Sequence, residues 1–103
     1  MYKLDYLPLA KKDMVEIIQY ISHKLGNPAA ALRLAQDFIS ASERLTTFPY
    51  ASPVYFPIRA LQHEYRTVRV RNYLMFYWVN EADKRIVIAR VIYAKRDHDA
   101  LLN

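Results

Sequence analysis

Three stretches in the C-terminal half of the chain carry the hydrophobic pattern of β-strands. Residues 64–70 (EYRTVRV) alternate polar and apolar side chains, residues 72–79 (NYLMFYWV) are apolar on both parities, and residues 85–93 (RIVIARVIY) are mostly β-branched or apolar. These residue types, without helical spacing, predict strands. Because the connections between them are short, neighbouring strands must be antiparallel. The pattern predicts a three-stranded meander whose middle strand is apolar on both faces.

The N-terminal half follows a helical period after a short alternating segment at residues 2–6, which predicts one more strand. Apolar residues recur at helical spacing from Met14 to Leu25. Gly26 is the only glycine and predicts a left-handed helix end. Asn27, followed by a proline, predicts the start of a second helix that ends at Pro49. Two helices joined so closely form an antiparallel hairpin.

The predicted fold is therefore α+β, in the order β-αα-βββ, with the helical hairpin on one face of a mostly antiparallel sheet. The opposite face is expected to be open. A charged residue is costly beneath an apolar hairpin, so we assign Arg90 and the isoleucines at alternate positions before it to the open face. Leu74, Phe76 and Trp78 of the middle strand are assigned to the same face. An exposed apolar patch of this kind usually binds a partner.

Composition narrows the possible functions. The chain has 103 residues, which predicts one domain spanning residues 1–103, with a formal net charge of +5. It has no cysteine, which excludes a disulfide framework, a zinc ribbon and a thiol nucleophile. No apolar run reaches membrane-spanning length, and charges interrupt the N-terminus where a signal peptide is apolar. We therefore expect a cytoplasmic protein without membrane contact.

Standard catalytic motifs are absent from the sequence. A single glycine cannot build a phosphate-binding loop, and the three histidines lack metal-ligand spacing. We therefore predict neither a metal nor another cofactor. A basic set remains near the strands: Arg59, Arg66, Arg69, Arg71, Arg90, Lys95 and Arg96. Such a set can contact phosphates or stabilise charge in metal-free phosphoryl transfer. It can equally form a solvated face or pair with nearby carboxylates.

Several short motifs, in order along nearly the whole chain, carry a family resemblance. They are Tyr20-Ile21 at the first helix end, N-P-x-A-A from Asn27, L-x-x-F-P from Leu45, V-R-x-Y-x-x-x-Y from Val70, and I-x-R-V-x-x-x-x-R-D from Ile88. Together they resemble the RelE/ParE superfamily, the toxin halves of bacterial type II toxin–antitoxin pairs. The resemblance implies the β-αα-βββ fold predicted above. It also implies a toxin that inhibits bacterial growth.

The superfamily has two main activities. RelE-type members are metal-independent endoribonucleases that cut mRNA on the ribosome, whereas ParE-type members inhibit DNA gyrase. If this chain were a RelE-type nuclease, the resemblance implies catalytic roles for Arg66, Arg69 and Arg96. Tyr93 and His98 would then be the candidate proton-transfer groups, in place of a family tyrosine. Leu74 stands where those enzymes carry an arginine, and the tail lacks their C-terminal tyrosine.

These departures favour the ParE-like interpretation, with the mRNA endoribonuclease as the alternative. A general RNA-binding module that stacks bases on Phe76 and Trp78 is a third interpretation. The predicted strand order argues against it, because an RNA-recognition motif follows a different order.

The resemblance also implies partners. A cognate antitoxin with an acidic, partly disordered segment is expected to cover the open face at Leu74, Phe76, Trp78 and Arg90. The target, either DNA gyrase or ribosome-bound mRNA, is expected to contact Arg69, Arg71, Lys95 and Arg96. Operator DNA is expected to bind only indirectly, through the antitoxin.

Overall fold

The computed structural model describes residues 1–57 and 60–102; Arg59, one of the basic residues named above, lies outside them. The elements are β1 (Lys3–Tyr6), α1 (Pro8–Gln19) continued by a π-helical turn (Tyr20–Lys24), α2 (Pro28–Thr47), β2 (Arg66–Val70), β3 (Tyr73–Asn80), β4 (Arg85–Tyr93) and α3 (His98–Leu102).

The four strands form one sheet in the order β1-β4-β3-β2. The β2–β3 and β3–β4 pairs are antiparallel, which confirms the meander, and β1 lies parallel to β4. Arg71 and Lys84 close the two turns with φ angles of 55° and 54°. The predicted α+β architecture is therefore confirmed, and β2 and β1 are the two edge strands.

The hairpin link has the predicted chemistry. Gly26 adopts a φ of 62°, the left-handed conformation that a glycine allows without strain. The Asn27 side-chain oxygen accepts a hydrogen bond from the Ala30 backbone N–H at 3.1 Å, which satisfies one unpaired donor at the start of α2. The first helix ends in a π-helical turn, in which the Leu25 N–H donates to the carbonyl of Tyr20, five residues earlier, at 3.1 Å.

One hydrophobic core lies between the helical hairpin and the sheet. It buries Phe38 of α2, Met75 and Tyr77 of β3, and Ile86 and Ile88 of β4. The Tyr77 hydroxyl is satisfied inside this core, because it donates to the Pro49 carbonyl at 2.8 Å. The helical periodicity and the alternation of side chains in β3 predict this core, but they do not predict Ile86 and Ile88 in it.

The opposite face of the sheet is not open, so that expectation is wrong. Phe76 has no solvent-exposed surface and belongs to a second core with Tyr65 and Leu102. The chain covers this face itself, with the irregular segment after α2 and with α3. The Trp78 indole, for example, stacks on the His63 ring at 3.7 Å between centroids and 6° between planes. A middle strand that is apolar on both faces needs cover on both, and here distant parts of the same chain supply it.

A β-bulge changes the face of the sheet to which the side chains of β4 point. The register pairs Phe76 with Arg90 but Tyr77 with Ile88, so Ala89 is an extra residue in β4. An extra residue reverses the alternation of side chains beyond it. Ile86 and Ile88 therefore pack in the hairpin core, and our assignment of these isoleucines to the face of Arg90 is wrong.

Among the described residues, none of the helices combines the length and the apolar character that a membrane crossing requires.

Candidate functional site

Four basic residues from two separate parts of the chain lie at one end of the sheet. Arg69 and Arg71 come from the end of β2 and its turn, and Lys95 and Arg96 follow β4. The two segments are joined directly, because the Ala94 N–H donates to the Asn72 carbonyl at 2.9 Å. The structure thus brings together the four residues for which we predict target contact.

The four cations at this end differ in whether they have a partner within the chain. Arg71 pairs with Asp37, with 2.8 Å between guanidinium nitrogen and carboxylate oxygen. Arg69 donates to the Arg71 carbonyl at 2.8 Å. Within 1–57 and 60–102, Lys95 and Arg96 form no ion pair. A surface with unpaired cations attracts an anionic partner.

A cleft of about 350 Å³ opens beside Arg96, between the first helix and β4. Tyr20, Tyr73 and Tyr93 line it. The Tyr73 and Tyr93 rings meet edge to face with centroids 5.8 Å apart. Burial, followed by the neighbouring tyrosines, raises the pKa of Tyr73, so this hydroxyl stays protonated at neutral pH. Tyr93 is 40% exposed and lines the same cleft as Arg96.

Arg66 lies apart from this end and has a structural role. Its guanidinium donates to the Ser52 carbonyl at 2.8 Å and lies 5.0 Å from the centre of the Tyr50 ring. Only 18% of the side chain is exposed. Register pairs Arg66 with Tyr77 and Arg69 with Leu74. The two arginines therefore point to opposite faces of β2.

His98 is also separated from Arg96. It begins α3 on the second face of the sheet, where its ring lies 5.3 Å from Phe76 and 6.1 Å from Tyr55. Its Nε2 atom is buried and has no hydrogen-bond partner among the described residues. Of the two predicted proton-transfer groups, only Tyr93 lies on the cleft with Arg96.

Arg90 is held inside the fold rather than exposed. Its Nε and Nη2 atoms donate to the two carboxylate oxygens of Asp13 at 2.8 and 2.9 Å, and its Nη1 donates to the Leu101 carbonyl at 2.6 Å. The Asp13 carboxylate also accepts the backbone N–H of Val91 at 2.9 Å. The hydrogen bonds that Arg90 donates to the Asp13 carboxylate raise the pKa of Arg90. Arg90 thus joins α1, β4 and α3.

The structure exposes apolar surface on the helical hairpin instead. A groove of about 520 Å³ runs between α1 and α2. Val15 and Ile39 lie on it and are 54% and 53% exposed. Its other lining residues are Tyr6, Lys11, Met14, Ile18, Gln19, Ala35 and Phe38.

The comparison with protein families decides what kind of protein carries this arrangement. The family described as the ParE toxin of the type II toxin–antitoxin system, parDE, matches residues 4–98. The chain belongs to the ParE toxin family. No curated protein shows significant sequence similarity to the chain.

Solved structures share the fold of this ParE-family chain. A structure of the chromosomal ParDE system from P. aeruginosa has a TM-score of 0.72 at 20% identity, covering 92% of this chain and 98% of that one. The archaeal RelE–RelB complex from Pyrococcus horikoshii gives 0.59 at 19% identity, with 92% and 97% covered. A metal-bound toxin from Helicobacter pylori gives 0.59 at 14%, with 90% and 94% covered. At these identities the likeness shows the fold alone.

No group of three His, Asp or Glu side chains suited to hold a metal ion occurs in the described part of this ParE-family chain. The residues predicted to act in a RelE-type nuclease do not form one cluster. Arg96 and Tyr93 share the cleft, and Arg69 lies at the same end of the sheet. Arg66 binds the segment after α2, and the His98 ring packs against Phe76.

Sequence reasoning missed the polar residues that fasten the ParE-family chain together. Asp13 is one of them. Glu81 is another, since its carboxylate accepts hydrogen bonds from both Tyr2 and Tyr50 and pairs with Lys84. Lys84 first, and then the two tyrosines, lower the pKa of Glu81 to about 2. The contacts of Asp13 with Arg90 and of Glu81 with the two tyrosines join residues far apart in sequence, so no local pattern indicates them.

Proposed function

We propose that this toxin stops bacterial growth by inhibiting DNA gyrase, and that a cognate antitoxin neutralises it. The observation that carries the proposal is the match of residues 4–98 to the ParE family. The basic end formed by Arg69, Arg71, Lys95 and Arg96 is its target-contacting surface. The toxin acts in the cytoplasm. Operator DNA binds to the toxin–antitoxin complex only through the antitoxin.

Three features support gyrase over mRNA as the target. The chain has Leu74 where RelE-type nucleases carry an arginine, and its tail has no tyrosine. Arg66 is occupied by backbone carbonyls of the segment after α2. A nuclease that lost an arginine and a proton-transfer group would lose several orders of magnitude in rate.

The exposed apolar groove of the helical hairpin supports a protein partner. A contiguous apolar surface on a small protein usually marks an interaction site. The P. horikoshii RelE relative was itself solved as a complex with RelB. The antitoxin contacts that we assigned to Leu74, Trp78 and Arg90 stay a prediction, and they would require the cover of the second face to move. The antitoxin can contact Phe76 only if the same cover moves.

The test is a supercoiling assay with purified gyrase, relaxed plasmid and purified toxin. We expect the toxin to inhibit supercoiling. Reversing the charges of Lys95 and Arg96 together should remove about 1 kcal/mol of binding free energy for each contact. A loss of about 2 kcal/mol raises the half-inhibitory concentration about 30-fold. Lys3→Glu is the matched control, because Lys3 is an exposed cation at the opposite end of the sheet, and it should change inhibition less than about twofold.

The mRNA alternative has its own support, because Tyr93 and Arg96 share one cleft. Mapping mRNA 5′ ends shortly after toxin induction distinguishes the two targets. Codon-phased new ends, together with unaffected gyrase, would refute the gyrase proposal. In that case Tyr93→Phe should abolish the new ends, since phenylalanine cannot transfer a proton.

A further inference from the structure

A small cavity lies between α2 and the end of β2, next to the basic end. It measures about 220 Å³ and contains three guanidinium groups against one carboxylate, those of Arg44, Arg69, Arg71 and Asp37. Arg44 is an exposed residue of α2 and takes part in none of the sites described above. The cavity therefore adds a fifth cation to the four of the basic end.

Only one of the three guanidinium groups is neutralised by a described residue. Asp37 pairs with Arg71 at 2.8 Å. The Arg69 side chain donates to the Arg71 carbonyl at 2.8 Å, which holds the guanidinium in place but leaves its charge unpaired. Arg44 forms no ion pair with any described residue. Three cations against one carboxylate leave two positive charges in the cavity, and two of the three guanidinium groups are held in place before a ligand arrives.

Phosphate is the group that this cavity suits best. A guanidinium group presents a planar fork of N–H donors that matches the oxygens of a phosphate, and the charge on both groups makes these hydrogen bonds strong. Among the described residues that line the cavity, only Ala41 and Val70 are apolar. The centre of a protein–protein interface is apolar and poor in charged residues. The cavity is therefore better suited to a phosphate than to a segment of a partner protein.

The five cations extend across one end of the molecule. Because β3 lies between β2 and β4, the cations that follow β4 lie about two strand spacings, or about 10 Å, from those at the end of β2. Duplex DNA carries one phosphate charge for about every 1.7 Å of its axis, which gives about six charges over such a length. A duplex can therefore contact the cavity and the cations beyond β4 at the same time.

We propose that the cavity and the basic end together bind the phosphate backbone of the duplex DNA that gyrase holds. The inference rests on the proposed function, and it assigns DNA as the part of the gyrase–DNA complex that these cations contact. One phosphate binds between Arg44 and Arg69, and neighbouring phosphates contact Lys95 and Arg96. Phosphate contacts position a protein on DNA without reading its sequence, so recognition of the operator remains with the antitoxin.

The salt dependence of DNA binding by the purified toxin tests the proposal. Binding of a fluorescent duplex of about 20 base pairs is measured by anisotropy between about 50 and 200 mM salt. With about four phosphates contacted, the logarithm of the binding constant should fall against the logarithm of the salt concentration with a slope of about −3 to −4. A slope near zero, or no binding at the lowest salt concentration, would overturn the proposal.

Arg44 provides the most informative substitution, because it lies outside the residues already assigned to the target. Arg44→Gln should weaken DNA binding about fivefold at the lowest salt concentration and make the slope shallower by about 0.9. Lys3→Gln is the matched control, since it removes one positive charge at the opposite end of the sheet, and it should leave the slope unchanged. Thermal unfolding of both variants controls for folding. Equal changes in the two variants would overturn the cavity as a phosphate site, because net charge alone would then explain the binding.

The supercoiling assay separates this inference from the proposed function. Arg44→Gln should raise the half-inhibitory concentration about fivefold, in line with its loss of DNA binding. Gyrase inhibition that Arg44→Gln leaves unchanged would overturn the DNA contact and leave gyrase as the target. DNA binding through Arg44 by a toxin that does not inhibit gyrase would instead reject the proposed function and keep the phosphate site. Tighter binding of RNA than of DNA of the same length would overturn the choice of DNA.

Discussion

The Asp13–Arg90 pair provides the sharpest test of how this fold is held together. The Asp13 carboxylate accepts two hydrogen bonds from the Arg90 guanidinium and one from the Val91 backbone. The Asp13 and Arg90 side chains are only 13% and 18% exposed. Asp13→Asn has nearly the same shape but removes the charge and one acceptor. It leaves the guanidinium buried without its counter-ion.

The expected loss follows from this burial. Removing one partner of a buried pair costs about 3–5 kcal/mol, and we take the lower end, about 3 kcal/mol, because both groups retain some contact with water. For a domain of this size, about 3 kcal/mol lowers the melting temperature by about 12–24 °C. Circular dichroism during heating, together with urea denaturation, measures both quantities.

The chain offers a matched control in the Asp5–Arg85 pair. It has the same chemistry, with nitrogen–oxygen distances of 3.0 Å, but its side chains are 45% and 39% exposed. Asp5→Asn should therefore cost less than about 1 kcal/mol. If Asp13→Asn destabilises the toxin no more than Asp5→Asn does, the structural role of the buried pair is refuted.

Three further changes test other parts of the fold by thermal unfolding. Phe76→Ala should cost about 3–5 kcal/mol because it empties the second core, whereas Phe56→Ala, at a side chain that is 86% exposed, should cost almost nothing. Burial, followed by the hydrogen bond to Asp99, raises the pKa of Tyr55 from 10.0 to about 12. As the pH rises, the unfolded chain loses this proton before the folded chain does. The contribution of Tyr55 to the free energy of unfolding is therefore complete below pH 10 and disappears as the pH rises to about 12. Tyr55→Phe should flatten that fall. Gly26→Ala should cost about 1 kcal/mol through its positive φ alone, since an added Cβ would meet no atom within 4 Å.

Each of these results can contradict the structure. Equal losses for the two phenylalanines would mean that the second face is open in solution. An unchanged alkaline fall in Tyr55→Phe would mean that this hydroxyl is not buried in the folded state. A stabilised Gly26→Ala variant would exclude the left-handed link between the helices.

The order of elements was predictable because it depends on local periodicity. Helical spacing, Gly26 and Asn27 placed the hairpin, and β-branched and aromatic runs placed the meander. These signals act within a few residues and need no knowledge of the rest of the chain.

The wrong predictions concern features of the fold that depend on contacts between residues distant in sequence. The cover of Phe76 comes from segments that carry no regular pattern, so the sheet looked half open. The bulge at Ala89 reverses which face the side chains of β4 point to on either side of it. No turn residue or other local signal in the run from Ile86 to Ile92 indicates one extra residue. Of the predicted site, the convergence of Lys95 and Arg96 with Arg69 followed from strand order. The separation of Arg66 from them followed from side-chain facing and from the loop that Arg66 holds.

The parallel pairing of β1 with β4 has a consequence for synthesis of the toxin. Lys3 pairs with Arg85, so the register joins positions separated by about four-fifths of the chain. Contacts this far apart in sequence close slowly, because a long loop must lose its freedom first. During translation β1 is made long before its partner and remains unpaired until β4 has left the ribosome. The toxin therefore completes its sheet, and gains the basic end beyond β4, only after β4 has been made.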